Sequence, residues 1–388
     1  MKNIPETALT IGFSAAAFLL GAGCAANRVA PAPPQPASVR PQPVFAPENI
    51  RKALNELMKE SYSDTQAVDV LYVTNRAAVG DAAECNDDSF GVDRSSTVFF
   101  GVCRLNVAKR HGVGGFEVAP HPRSDPHKYF RVMSQANLDE NGFKDFLLQK
   151  RPADVLVFIH GFNVKFQEAV LRAAQIAYDL KFQGPVVLFS WPAGAGSGML
   201  DSALINRTYE SNRLNAANSI DRAAAFFKTL AGLGMTTHIL VHSMGHQVVL
   251  PALGKAAPSI EHPFIGELIL NAPDIPVRDF QNLAPKIKTL ADRVTVYCSY
   301  NDNAIAASET YNKNRRLGGC ERTAGIDVIN VGEIDAPALG IGGLGHGYYA
   351  SRPILTDIYQ VLLGIEAEKR LFIRKSEPNS TEDFYLRP

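Results

Sequence analysis

Charge of one sign is missing from this sequence: 39 Lys and Arg balance 39 Asp and Glu over 388 residues, a formal net charge of zero. No net field would draw the whole molecule onto nucleic acid or an anionic membrane, so no nucleic-acid partner is expected. The sequence also lacks repeats at a fixed period and runs of like charge, which argues against a solenoid or a charged interaction tail. Cysteine is sparse, five in all. None of them has a Cys-x-x-Cys spacing, so no zinc or other metal site is expected. No glycine-rich phosphate loop or dinucleotide fingerprint stands at a strand-helix junction, so no cofactor is implied. What is present, 46% hydrophobic and 20% charged side chains, is the composition of a globular chain with ample material for a core.

Long apolar runs are missing as well. The N-terminal one, Ile11 to Leu20, is short for a bilayer span. Lys2 precedes it and Gly21-Ala22-Gly23-Cys24 follows, the layout of a bacterial export signal. A cysteine after small residues resembles the lipobox of bacterial lipoproteins, with Cys24 as the lipidated first mature residue. Gly21 stands where that pattern usually has Leu. Cleavage at a nearby small residue, giving a secreted or periplasmic soluble protein, and an uncleaved anchor over Ala8 to Ala26 are the alternatives. The proline-rich stretch from Ala30 to Pro47 favours an extended, semi-rigid tether. The expected organisation is a signal over 1–23, lipidated Cys24 and tether over 24–50, one domain over 51–366 and a C-terminal tail over 367–388. The expected location is the cell envelope, with the membrane reached through the lipid anchor. Export would place Cys85, Cys103, Cys298 and Cys320 in an oxidising compartment, where three pairings are open. Local pairing, Cys85 with Cys103 and Cys298 with Cys320, is preferred because each pair falls within one structural neighbourhood.

Segments rich in β-formers at Val68 to Thr74 and Thr97 to Val102 read as the first strands. From Asp154 onward, short apolar runs alternate with amphipathic helical patterns, which predicts an α/β fold with a mostly parallel sheet and helices on both faces. The strands fall at Val155 to Ile159, Val186 to Phe189, His238 to Val241, Glu267 to Leu270, Val294 to Tyr297 and Asp327 to Val331. The helices fall at Phe166 to Lys181, Leu214 to Leu230, His246 to Ala256, near Phe280 to Thr289, and at Ile354 to Leu363.

Ser243 stands directly after one of these strands and directly before a helix, the setting of a nucleophile elbow. The turn needs small residues two before and two after the nucleophile. Gly245 meets the second requirement and Val241 departs from the first. A serine beside a glycine is also a common helix cap. Acyl transfer needs backbone donors aimed at the developing oxyanion. Met244 supplies one, and His160-Gly161-Phe162-Asn163, after an earlier strand, offers the Phe162 amide as the second. His160 itself reads as a structural residue of that loop. In an α/β-hydrolase fold the chain order is Ser, acid, His. Downstream lies Gly342-Gly343-Leu344-Gly345-His346-Gly347, which presents His346 as the base. His242, His246 and His262 read as surface or packing residues. Two carboxylates stand at strand ends, Asp302 and Asp274. Asp302 follows the later strand and is the favoured acid, with Asp274 the alternative, and either could simply cap a helix.

The set Phe158-Ile159-His160-Gly161-Phe162-Asn163, Phe189-Ser190-Trp191-Pro192, His242-Ser243-Met244-Gly245, Ala272-Pro273-Asp274, Tyr297-Cys298-Ser299-Tyr300-Asn301-Asp302 and Gly345-His346-Gly347-Tyr348-Tyr349 resembles a largely uncharacterised bacterial α/β-hydrolase family within the esterase/lipase superfamily. Thr74-Asn75-Arg76 resembles that family's N-terminal signature. The resemblance implies an α/β-hydrolase fold and a Ser243, Asp302, His346 triad, with Phe162 and Met244 as oxyanion donors. The activity expected is a carboxylic ester hydrolase acting on a small-molecule, lipid or thioester substrate through an acyl-enzyme on Ser243. Trp191 and the stretch Gly194 to Tyr209 are candidates for an acyl pocket and a mobile lid. The competing expectation is a membrane-tethered binding or scaffold protein that keeps the fold without turnover, and Val241 is its main support.

Overall fold

The computed structural model describes residues 67–79, 84–121, 123–149, 154–195, 202–334 and 346–388, all within one compact unit that reaches Pro388. The expected signal, Cys24, the proline-rich tether and the glycines over 342–345 lie outside the described residues.

The strands are β1 (Ala67–Ala78), β2 (Phe90–Asn106), β3 (Arg131–Leu138), β4 (Val155–Ile159), β5 (Val186–Ser190), β6 (Thr237–His242), β7 (Ile265–Asn271), β8 (Ala291–Cys298), β9 (Asp327–Asn330), β10 (Ile373–Lys375) and β11 (Phe384–Leu386). They form one sheet in the order β10-β11-β9-β8-β7-β6-β4-β5-β1-β2-β3. Pairing is parallel from β1 across to β11, and antiparallel only for β1 with β2, β2 with β3, and β10 with β11. The mostly parallel sheet is thus as expected, and its central strands are buried on both faces.

The helices are α1 (Glu140–Gln149), α2 (Phe166–Asp179), α3 (Ser202–Gly232), α4 (His246–Ala256), α5 (Val277–Ile287), α6 (Asn303–Asn312) and α7 (Arg352–Leu362). Strand alternation splits the core between two layers. Val155, Val157 and Ile159 of β4 pack with Phe227 of α3, Val249 of α4 and Phe280 of α5. Leu156 and Phe158 face the other way, toward Val170 and Ala173 of α2 and Ile358 of α7. Helices on both faces of a parallel sheet bury each strand completely, and all five residues of β4 and of β5 are buried.

Several boundaries move. β2 begins at Phe90, not Thr97, and α3 begins at Ser202, not Leu214. The segment 202–209, expected as part of a lid, is therefore the first two turns of α3. β3, α1 and α6 were not expected. The segment 367–388 is not a tail outside the domain: β11 pairs in parallel with β9, and β10 closes that edge. Burial explains why this segment belongs to the sheet. Arg370 donates from Nη1 to Asp357 Oδ2 of α7 at 3.0 Å, and both side chains are essentially inaccessible. Tyr297 of β8 donates its hydroxyl to the same oxygen. The disulfides are Cys85–Cys103, which ties the loop before β2 to β2 itself, and Cys298–Cys320, at the end of β8.

Removing one partner of a buried pair leaves a charge without compensation. Arg370→Met is expected to cost about 3–5 kcal/mol of unfolding free energy, measured as a lower urea midpoint. A change within experimental error would show that the C-terminal strands are not held through this pair.

Candidate active site

In a parallel sheet the crevice lies where chain order reverses, at the carboxyl ends of the strands. Here β4 is flanked by β5 on one side and β6 on the other. The loops leaving β4 and β6 therefore diverge over a common opening. Ser243 leaves β6 with φ of 53°, a left-handed conformation that non-glycine residues adopt at a cost and that is common at functional turns. Residues 243–245 form a single 3₁₀ turn that runs directly into α4.

The crossing is tight. A Cβ on Gly245 would stand 2.6 Å from the His160 carbonyl oxygen and 3.3 Å from Val241 Cγ1. Gly245 is therefore the residue that needs to be small. Val241 is buried in the core beside it, which accounts for valine where the elbow pattern has glycine. Gly161 is equally constrained: a Cβ there would lie 2.7 Å from Ser243 Cβ and 2.9 Å from His242 Nδ1. The β4 loop is thus pressed against the Ser243 turn.

His346 Nε2 lies 2.6 Å from Ser243 Oγ, and its Nδ1 lies 2.7 Å from Asp302 Oδ2. Asp302 is buried, and its Oδ1 accepts the amides of Ala304 and Ile305 at 3.0 Å each. One oxygen caps α6 while the other faces the imidazole. The cap and the contact with His346 are compatible roles of one side chain.

Asp274 lies elsewhere. Its Oδ1 accepts Ser308 Oγ at 2.6 Å and its Oδ2 accepts Tyr209 Oη at 3.0 Å, and Arg316 Nε is 3.2 Å from Oδ1. Its backbone amide donates to the Ser243 carbonyl at 3.4 Å. Asp274 therefore braces the turn from below through its backbone, and its carboxylate is engaged by α3, α6 and Arg316.

Phe162 and Met244 flank Ser243 on the two loops. Among the described residues, neither amide is taken up by a turn or loop hydrogen bond. Asn212 of α3, buried, accepts the next amide, Asn163 N, at 3.1 Å and also bonds both backbone groups of Gly194. Trp191 is fully buried, and its indole donates to the His160 carbonyl at 2.9 Å. It supports the β4 loop.

His262 is exposed, as a surface histidine should be. The other two are buried at the site. His242 stacks on Tyr349 with ring centroids 3.8 Å apart, and its Nε2 lies 3.2 Å from the His346 carbonyl, so it anchors the segment carrying His346. His246 Nδ1 lies 2.6 Å from the Ser243 carbonyl. Burial holds the His242 imidazole well below its ordinary range, with the neighbouring His346 adding to the effect. Burial lowers His160 and His246 to about 3. Asn212 and Arg76 hold the β4 loop through Asn163 and Val164; nothing in the local sequence of Asn212 marks it, Arg76 stood out only in the Thr74-Asn75-Arg76 signature, and His242 is the packing residue it read as.

Among the described residues, no cluster of His, Cys, Asp or Glu has the arrangement to hold a metal ion. A family model described as alpha/beta hydrolase of unknown function (DUF900) matches residues 135–365, more than half of the chain. No curated protein matches the chain.

The buried histidines have a consequence for stability. His160 and His246 take up protons near pH 6.5 when unfolded and near 3 when folded. The unfolded chain therefore binds more protons between these values, and stability present above pH 6.5 is lost as pH falls. The slope reaches about 1.4 kcal/mol per pH unit for each histidine. His111, raised beside Asp179, opposes this in part. Urea midpoints are expected to drop between about pH 7 and pH 5; a flat profile would contradict the buried neutral state.

Proposed function

The chain belongs to this family of alpha/beta hydrolases, and we propose that it is a serine hydrolase cleaving carboxylic esters, lipid esters and thioesters included, through an acyl-enzyme on Ser243. The observation that carries this reading is the continuous contact from Ser243 Oγ to His346 Nε2 and from His346 Nδ1 to Asp302 Oδ2.

A serine hydroxyl is a weak nucleophile until a neutral imidazole accepts its proton. On this reading His346 Nε2 takes the Ser243 proton as Oγ attacks the acyl carbon. Asp302 holds the ring in the tautomer with Nδ1 protonated and stabilises the imidazolium that forms. The Phe162 and Met244 amides stabilise the oxyanion of the tetrahedral intermediate. His346 then returns the proton to the leaving alcohol or thiol, and later activates the water that releases the acid. Because Gly245 provides the clearance at the elbow, Val241 no longer favours a non-catalytic scaffold.

A fluorophosphonate probe is expected to label the protein and to fail on Ser243→Ala; an unlabelled wild-type protein would favour the scaffold. Asp302→Asn should lower kcat on p-nitrophenyl esters by about 10⁴-fold with little change in Tm, because asparagine still caps α6. Asp274→Asn should instead lower Tm. Loss of kcat in the second variant alone would exchange the two roles.

We also propose that the protein is exported and lipid-anchored through Cys24, a reading supported by two disulfides in the folded chain, which persist in oxidising compartments. Cys24→Ala should move the protein from the membrane to the soluble fraction; unchanged partitioning would refute the anchor.

A further inference from the structure

Arg76, at the bulged end of β1, is fully buried, and among the described residues it forms no ion pair, Asp87 acting on it only through its charge. Its Nε donates to Ser190 Oγ at 2.9 Å, its Nη1 to the carbonyls of Gly91 and Ala193 at 2.9 and 2.8 Å, and its Nη2 to the Val164 carbonyl at 2.9 Å. The remaining Nη2 donor faces His160 Nε2 at 3.4 Å. Every donor of the fork is thus used on a neutral acceptor. Burying a guanidinium on neutral acceptors is costly, the charge of Asp87 offsetting the burial only in part, and what it secures is geometry.

A guanidinium can only donate, so His160 Nε2 must present its lone pair to it. Ser190 Oγ, 3.2 Å from the same nitrogen, accepts from Arg76 and donates its own proton there. The His160 proton then sits on Nδ1, which lies 3.1 Å from the Gly161 carbonyl. In a planar trans peptide, carbonyl and N–H point to opposite sides. Holding the Gly161 oxygen against His160 therefore turns the Phe162 N–H away from His160. The Gly161 Cα at the start of that peptide is pressed against Ser243, and the far end of the same loop is tied to Arg76 through the Val164 carbonyl.

We infer that Arg76 is a positioning residue for the oxyanion loop: it holds His160 in the Nδ1–H tautomer, and that N–H clamps the Gly161–Phe162 peptide with the Phe162 amide directed at the nucleophile. The inference rests on the proposed role of Ser243, and it reaches further by assigning work to residues that never touch substrate. Burial and the Arg76 charge both keep His160 neutral, as a fixed tautomer requires.

Imidazole ¹⁵N shifts of the full-length protein report the tautomer independently of any activity. The wild type should show His160 protonated at Nδ1 and bare at Nε2; protonation at Nε2 would overturn the inference. Arg76→Lys keeps the charge but not the fork. It should lower kcat on a p-nitrophenyl ester about 10- to 100-fold, within the range of a weakened oxyanion donor, with KM changed less than about threefold. Affinity for an alkyl boronic acid, whose adduct places an oxygen in the hole, should fall in parallel. Folded Arg76→Lys with wild-type kcat and boronate affinity would refute the role. Should that variant not fold, His160→Asn, which keeps an N–H near the Nδ1 position, is expected to retain activity that His160→Leu loses; equal activity of the two would refute it. Absence of any ester turnover in the wild type would count against the serine hydrolase reading, and the tautomer would still decide this one.

Discussion

Two loops leaving neighbouring parallel strands meet at the Gly245 Cα, where the His160 carbonyl comes so close that no side chain fits. This contact sets the distance between the Ser243 turn and the β4 loop. It requires β4 and β6 to be adjacent, which requires chain order to reverse at β4, which places the opening at the carboxyl ends of the strands. Ser243, Gly161 and Phe162 are then neighbours by construction. The polar side chains around them, Asn212, Trp191, His242 and Asp274, hold the loops in a relation that the sheet has already imposed.

The site is also costly to build. Arg76, His160, His242 and His246 are buried polar groups that a core of the same volume made of Leu and Phe would replace without loss of stability. Their expense is offset by the large two-layer core on either side of β4 and β6. The disulfide at Cys298 adds a covalent restraint to the strand end that leads to Asp302. Rigidity is thus concentrated where the loops must be held against each other, at the expense of buried groups that titrate.

How much of this was legible in the sequence depended on burial and length. β4 is a continuous apolar run, and β6 and β7 carry apolar stretches at 239–241 and 268–270, because both of their faces are covered, and their positions could be read to within a residue or two. β3 was missed because it is an edge strand whose sequence Met133-Ser134-Gln135-Ala136-Asn137 is largely exposed. β10 and β11 are three residues each, too short for a period to show. α6 lacks an amphipathic pattern and begins at its Asp302 cap, and residues 206–213 of α3 are polar, with only Asn212 among them buried. Ser243, Asp302 and His346 were legible as candidates because chain order and strand ends constrain them. Arg76 stood out only within the Thr74-Asn75-Arg76 signature, and its burial was not legible, because an arginine beside a strand end ordinarily signals solvent. Its burial follows from loops that come from β4 and β5, far away in sequence.

The left-handed backbone at Ser243 has one further implication. A residue with a Cβ at φ of 53° sits there against its own steric preference, at a cost on the order of 1–3 kcal/mol, whereas glycine would occupy the same turn without strain. Glycine there would relieve the strain and forfeit the contact of Ser243 Oγ with His346 Nε2. On the proposed reading, the serine is therefore kept at this turn for its hydroxyl and against the preference of its backbone.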